Sequence, residues 1–146
     1  MATAHDVAAY ILKKRGPVSA MKLQKLVYYS QAWALVWDDR PLFNQRIEAW
    51  ANGPVVPELY EKHRGLFLVD KWPSGDPNKL HGDAVDTVDA VLDYYGKLNS
   101  QVLSDLTHRG SPWRDARQGL ADGERGNREI THESMADYYS SLSENG

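Results

Sequence analysis

The sequence predicts a mainly α fold, a compact single domain around one long central helix, and three observations indicate it. The stretch from Ser19 to Trp37 has the clearest helical period, with apolar residues at three- and four-residue steps. Shorter apolar stripes with the same spacing follow along the chain. The 146 residues, with no cysteine, are enough to bury a core without disulfides. We therefore expect one domain over residues 1–146, with its core at about 5–142.

A first helix is predicted after Thr3. Asp6 follows Thr3 by three residues, which is the spacing of a capping box. Gly16-Pro17 ends the helix. The connection to the next helix is short, so the two helices are expected to pack together.

The long helix begins behind Ser19, a good N-cap residue. Its apolar stripe is predicted to be buried and contains Leu23, Leu26, Val27, Ser30, Trp33, Ala34 and Trp37. The other face carries lysines, aromatic rings and an amide, which are Lys22, Lys25, Tyr28, Tyr29 and Gln31. This second face can present its aromatic rings and amide to a partner; the alternative for Tyr28, as for Trp50, is a place in the core.

The segment after the long helix contains short apolar stretches. Leu42-Phe43 and Ile47–Trp50 could form a small two-stranded β ribbon. Asn52-Gly53-Pro54 predicts a turn. Pro57 fits the first turn of a short helix that Gly65 closes.

Four further helical starts are predicted in the second half. Their expected first or capping residues are Asp83, Ser100, Ser111 and Thr131. Surface loops rich in glycine and charge separate them at 71–82 and 119–128.

Charge and composition narrow the class of protein. The net charge of −3 divides into +3 for residues 1–50 and −6 for residues 51–146. This asymmetry can orient a charged protein partner, but it argues against nucleic acid, which needs a dense basic face. No apolar run reaches the length of a membrane span, and no signal peptide is recognisable at the start. A cytoplasmic protein without membrane contact is expected.

The common catalytic motifs are absent from the sequence. It has no HExxH, GxGxxG, GxxxxGK[ST] or GxSxG pattern, so we predict no enzyme, no cofactor and no metal. Glu58 and Glu61 near His63 are interpreted as a solvated acidic pair. His108 is interpreted as a helix C-terminal residue that contacts backbone carbonyls.

Four motifs together resemble the Panacea antitoxin domain of SocA-like antitoxins and of GepA-like phage-associated proteins. They are KLQKLVYYSQAW (22–33), PLF (41–43), IEAWANGPVVPELY (47–60) and LSDLTHRGSPWRDAR (103–117). The resemblance implies that most motif residues build the scaffold, namely Leu23, Leu26, Trp33, Gly53, Pro54, Pro57, Tyr60, His108, Pro112 and Trp113.

The resemblance also implies a function. Members of this family are helical, non-catalytic antitoxins that neutralise a toxin encoded beside them by direct protein contact. The expected partner is therefore a cognate protein toxin. The alternative is a phage or prophage regulatory or DNA-binding protein without a toxin of its own.

A toxin-binding surface is predicted where aromatic and charged residues lie close in sequence. Such a mixture is typical of the centre and rim of an interface. The predicted residues are Tyr28, Tyr29, Gln31, Trp50, Glu58, Glu61, Lys62 and Arg64.

Overall fold

A computed structural model describes residues 1–145, and Gly146 lies outside the described residues. The fold is mainly α, as predicted. The helices within this range are α1 (Ala4–Arg15), α2 (Ala20–Trp37), α3 (Pro57–His63), α4 (Asp83–Tyr95), α5 (Ser100–Arg109), α6 (Ser111–Ala116) and α7 (His132–Asn145). The strands are β1 (Val18–Ser19), β2 (Glu48–Trp50), β3 (Gly53–Val55) and β4 (Leu68–Val69).

The short strands form two antiparallel pairs. β1 pairs with β4, with Val18 opposite Val69, and β2 pairs with β3, with Trp50 opposite Gly53. A small ribbon is present, but it pairs β2 with β3, so the predicted strand at Leu42-Phe43 is wrong. The backbone N–H of Leu42 donates to the side-chain Oε1 of Gln31 at 2.7 Å, and the N–H of Phe43 donates to the same oxygen at 3.4 Å. These donors are therefore not available to a strand ladder.

The long helix α2 has no solvent face over much of its length. All ten consecutive residues at positions 23–32 are buried. The helix packs against α1, α4, α5, α7 and β3, which together enclose it. This second face therefore cannot present its aromatic rings and amide to a partner, because Tyr28, Tyr29 and Gln31 lie inside the protein, and for Tyr28 the core alternative is confirmed.

The tyrosines of α2 join it to α4 and α7. The ring of Tyr29 stacks on Tyr95 of α4 with centroids 3.9 Å apart. The hydroxyl of Tyr139 in α7 donates to the hydroxyl of Tyr28 at 3.2 Å. Burial raises the pKa of both Tyr28 and Tyr29, so both stay neutral in the core.

The C-terminal end of α2 is more open than its sequence predicts. Trp37 belongs to the predicted buried stripe, yet 49% of its surface is exposed. Its ring stacks on Trp33 with centroids 4.9 Å apart, and the indole N–H of Trp33 donates to the hydroxyl of Tyr95 at 3.0 Å. The exposure arises because the helix ends here, beyond the elements that enclose its middle.

The two earliest helix starts are confirmed, and three later ones are displaced by one residue. Thr3 caps α1 in a capping box with Asp6, and Ser19 caps α2. The N-cap positions of α4, α5 and α6 are the residues before those predicted, namely Gly82, Asn99 and Gly110. At α5 the reason is visible, because the amide oxygen of Asn99 accepts the N–H of Val102 at 2.9 Å.

Membrane insertion has no candidate segment in the part of the chain described. None of the helices within residues 1–145 combines the length and the apolar character that a bilayer crossing requires.

The capping box at Thr3 supplies a testable stability contribution. Thr3→Ala should lower the free energy of unfolding by about 1 kcal/mol, because the N–H of Asp6 loses its hydroxyl acceptor at 3.3 Å. Thr3→Ser keeps that acceptor and should stay close to the parent protein. Chemical denaturation of the three proteins measures both effects, and equal losses in the two variants would show that the hydroxyl does not matter.

Candidate functional site

A cleft of about 790 Å³ opens between α2, the β2–β3 hairpin and α3. Its floor is formed by the N-terminal half of α2, and the loop at 125–127 closes one side. Its volume falls in the range of small-molecule sites, roughly 300–1,000 Å³. Three elements that follow one another in sequence therefore meet around one concave surface, which the loop at 125–127 borders from much further along the chain.

Gln24 fixes the geometry of the cleft. Its Oε1 accepts the backbone N–H of Val56 at 2.9 Å, and its Nε2 donates to the carbonyl of Val56 at 3.2 Å. The same Nε2 lies 3.0 Å from Nε2 of His63 at the end of α3. One amide thus joins α2 to both ends of the segment that carries α3.

His63 is a neutral, structural histidine in this arrangement. It is buried, and burial lowers its pKa, with the charge of Lys25 lowering it further. Because the Gln24 amide donates to Nε2, the ring proton belongs on Nδ1. The ring therefore acts as a hydrogen-bond acceptor that orients Gln24.

Lys25 is a buried cation at the side of the cleft. Only 2% of its surface is exposed. Its Nζ donates to the carbonyl of Pro54 at 3.4 Å, which is a long hydrogen bond. Within the described residues no carboxylate forms an ion pair with it. Burial lowers the pKa of Lys25 from its ordinary 10.5 to about 8, so the ammonium is mostly charged at neutral pH.

Gly53 makes room for this lysine. Its φ is +125°, a conformation that side-chain-bearing residues rarely adopt. A Cβ at this position would lie 2.7 Å from Cε and 2.9 Å from Nζ of Lys25. The hairpin reverses at Ala51-Asn52, one residue earlier than the predicted turn, and Gly53 is the first residue of β3, where it admits the lysine side chain.

Helices α5 and α6 hold the hairpin from behind. The hydroxyl of Ser104 donates to the carbonyl of Asn52 at 3.3 Å, and the indole N–H of Trp113 donates to the carbonyl of Trp50 at 2.8 Å. His108 stacks on Trp113 with ring centroids 4.1 Å apart. Its Nε2 is buried and has no hydrogen-bond partner. Burial lowers the pKa of the ring, and a hydrogen bond with the backbone of Asn52 opposes that shift.

Arg117 completes this support. Its guanidinium donates to the carbonyl of Ala49 at 3.1 Å and to that of Glu124 at 2.6 Å. It thereby joins β2 to the loop that closes the cleft. The sequence motif at 103–117 therefore supports the hairpin through these hydrogen bonds.

Aromatic rings form one wall of the cleft. Trp50 meets Tyr60 edge to face, with centroids 4.9 Å apart. The indole N–H of Trp50 donates to Oε1 of Glu48 at 2.8 Å, while Oε2 of Glu48 accepts from Nε of Arg46 at 2.8 Å. Both carboxylate oxygens are therefore already engaged.

The predicted binding residues divide into two groups. Tyr28, Tyr29 and Gln31 are enclosed in the core and cannot reach a partner in this fold. The remaining residues are half-buried or exposed on the hairpin and on α3, namely Trp50, Glu58, Glu61, Lys62 and Arg64. Trp50 and Arg64 line the cleft.

Sequence reasoning missed Gln24, Lys25 and His63 as residues of a site. The sequence pattern places Lys25 on a solvated face, because lysine is rarely buried. One signal was available, since α2 carries large apolar or aromatic residues on both faces, which is typical of a helix buried all round.

Comparison with known proteins gives a consistent picture. The model of the family described as "Antitoxin SocA-like, Panacea domain" matches residues 23–114. Antitoxin SocA of Caulobacter vibrioides (strain NA1000 / CB15N) is 30% identical over 127 residues, covering 75% of this chain and 68% of that protein. No solved structure gives a significant match. The matched range contains Gln24, Lys25, the hairpin, α3 and Trp113.

Proposed function

The chain belongs to the SocA-like Panacea antitoxin family, and from this premise we propose that it neutralises a cognate protein toxin by binding it directly. We place the binding surface on α3 and the segment that follows it. The proposal also includes a cytoplasmic location and neutralisation without catalysis.

An exposed apolar run carries this proposal. Leu66, Phe67 and Leu68 are consecutive and all strongly exposed, with 85% of the Phe67 surface in solvent. Large apolar side chains that adjoin one another on a surface are typical of interaction sites, whereas scattered ones are not. We refer to these three residues as the apolar run.

The backbone holds the apolar run in place. The carbonyl of Phe67 accepts the N–H of Ala20 at 2.8 Å, and Leu68 pairs with Ser19 across β1 and β4. A segment tied to the start of α2 in this way does not need to be ordered on binding. A partner would therefore meet a preformed apolar surface, which lowers the entropic cost of association.

Charged residues of α3 flank the apolar run. The side chains of Glu58, Glu61 and Lys62 are exposed on this helix, and that of Arg64 is exposed directly after it. An apolar centre with a polar rim is the usual anatomy of a protein–protein interface. Acidic rim residues suit a toxin with a basic substrate groove.

Two histidines that could serve as bases have structural roles instead. His63 accepts from Gln24 and His108 stacks on Trp113, and both are removed from the outer surface of α3. These observations support binding as the mode of neutralisation.

The substitution Phe67→Ser tests the binding surface. It should weaken binding to the cognate toxin by about tenfold or more, because a central anchor is lost. Binding of the purified proteins and rescue of growth on co-expression measure the effect. Titration of toxin activity should also reach full inhibition only near equimolar antitoxin, because a binding protein does not turn over.

Leu142→Ser is the matched control, since Leu142 is also exposed but lies on α7. It should bind and rescue like the parent. Full binding by folded Phe67→Ser would place the interface elsewhere, and complete inhibition by a small fraction of an equivalent would indicate an enzyme.

Charge reversal tests the rim separately. Glu58→Lys combined with Glu61→Lys should slow association and change its salt dependence, because charges at the rim of an interface act mainly on the association rate. Glu133→Lys with Asp137→Lys makes the same change on exposed residues of α7 and should have little effect. Stopped-flow measurements of the association rate at low and high salt distinguish the two double variants. Equal rates for the two would show that α3 is not part of the interface.

A further inference from the structure

Lys25 has hydrogen-bonding capacity that its surroundings do not use. An ammonium has three N–H donors, and within the described residues only the carbonyl of Pro54, at 3.4 Å, accepts one. Burying a charge without a partner is costly, so such groups are usually paired. The unused donors belong to a side chain that lines the cleft.

The charges around the cleft favour an anion. Its lining contains three basic side chains, Lys25, Arg64 and Arg125, against one carboxylate, that of Glu48. Glu48 is engaged by Arg46 and by the indole N–H of Trp50. His63 is neutral, because its Nε2 accepts from Gln24. The basic side chains of the lining therefore outnumber its carboxylates.

The walls of the cleft favour a flat apolar body. Trp50 and Tyr60 present aromatic surface, and Met21, Val55 and Leu66 add apolar surface. A volume of about 790 Å³ is sufficient for a molecule the size of a mononucleotide. Stacking surface beside a buried cation suits a molecule that has a planar ring and a negative group.

We propose that this cleft binds a small organic anion with a planar ring, whose carboxylate or phosphate accepts hydrogen bonds from Nζ of Lys25. Gly53 supports the site from the hairpin, because a Cβ there would lie 2.9 Å from Nζ of Lys25. The inference does not depend on toxin binding. A ligand in the cleft would lie beside Leu66, where the apolar run begins.

The test uses the isolated chain and calorimetric titration with two anions and their neutral counterparts. AMP and adenosine report on a phosphate group, and benzoate and benzamide report on a carboxylate. At least one anion should bind at millimolar concentration or below, about tenfold or more tighter than its neutral counterpart. Which anion binds better distinguishes the two sources of negative charge.

Variants connect binding to the lysine. Lys25→Met should lose about tenfold or more in affinity for the anion, while Lys62→Met removes an exposed lysine outside the cleft and should bind normally. Lys25→Gln serves as a second neutral variant if the methionine variant does not fold. Failure of both anions to bind, equal binding of the neutral counterparts, or unchanged affinity in a folded Lys25 variant would overturn the proposal.

Discussion

Replacing Gly53 with alanine should lower the free energy of unfolding by about 3 kcal/mol, as measured by chemical denaturation. Two costs add. A φ of +125° strains any residue with a Cβ, by roughly 1–3 kcal/mol. The new methyl group would also lie 2.7 Å from Cε of Lys25, and overpacking a buried site costs about 1–3 kcal/mol.

Gly119→Ala separates these costs. Gly119 also has a positive φ, of +91°, but a Cβ there would have no neighbour within 4 Å. The free energy of unfolding of Gly119→Ala should fall by only about 1 kcal/mol, because backbone strain is the single cost in this variant. Combining Gly53→Ala with Lys25→Ala should then be less harmful than the sum of the two changes, by about 1 kcal/mol or more. Additive losses would show that the methyl group does not contact the lysine.

The starts of α1 and α2 were predictable because they depend on local chemistry. Thr3 and Ser19 have hydroxyls that accept an N–H three residues ahead, and this interaction needs no distant partner. The start of α3 at Pro57 follows from the same kind of local preference. Where two neighbouring residues can both cap, as Asn99 and Ser100 can, the local signal does not choose between them.

The burial of α2 on all sides was less predictable. The helical period shows which residues share a face, but it does not show which other elements cover that face. The repeat of Leu23, Leu26 and Val27 identifies one core face. The burial of Tyr28 and Tyr29 depends on Tyr95 and Tyr139, which are contributed by α4 and α7 far along the chain. Long-range packing of this kind leaves no mark in the spacing of α2 itself.

The cleft was the hardest feature to predict, because it needs three segments at once. Gln24 and Lys25 come from α2, the hairpin supplies Gly53, and α3 supplies His63. Each residue has an ordinary explanation when it is considered alone. Only their distances show that an amide, a cation and a histidine share one enclosed space.

Lys25 should make the stability of the protein depend on pH above neutrality. Its folded pKa is lowered to about 8 by burial, whereas the unfolded chain has the ordinary value of 10.5. Between these values the unfolded state binds more protons, so stability rises with pH. This gain in stability is complete above pH 10.5 and is lost as the pH falls through about 8. Its full size is about 3 kcal/mol, at 1.36 kcal/mol for each pH unit.

Lys25→Met removes this titration while keeping an unbranched side chain of similar length. The variant should therefore be more stable than the parent at pH 7, and its advantage should shrink by about 3 kcal/mol as the pH rises to 10.5. Denaturation of both proteins across this range measures the difference, in which the contributions of the buried tyrosines cancel. A constant difference would mean that Lys25 is not desolvated in the folded chain. A shrinking difference means that the protein retains a buried charge at a cost to its own stability, as expected of a residue kept for binding.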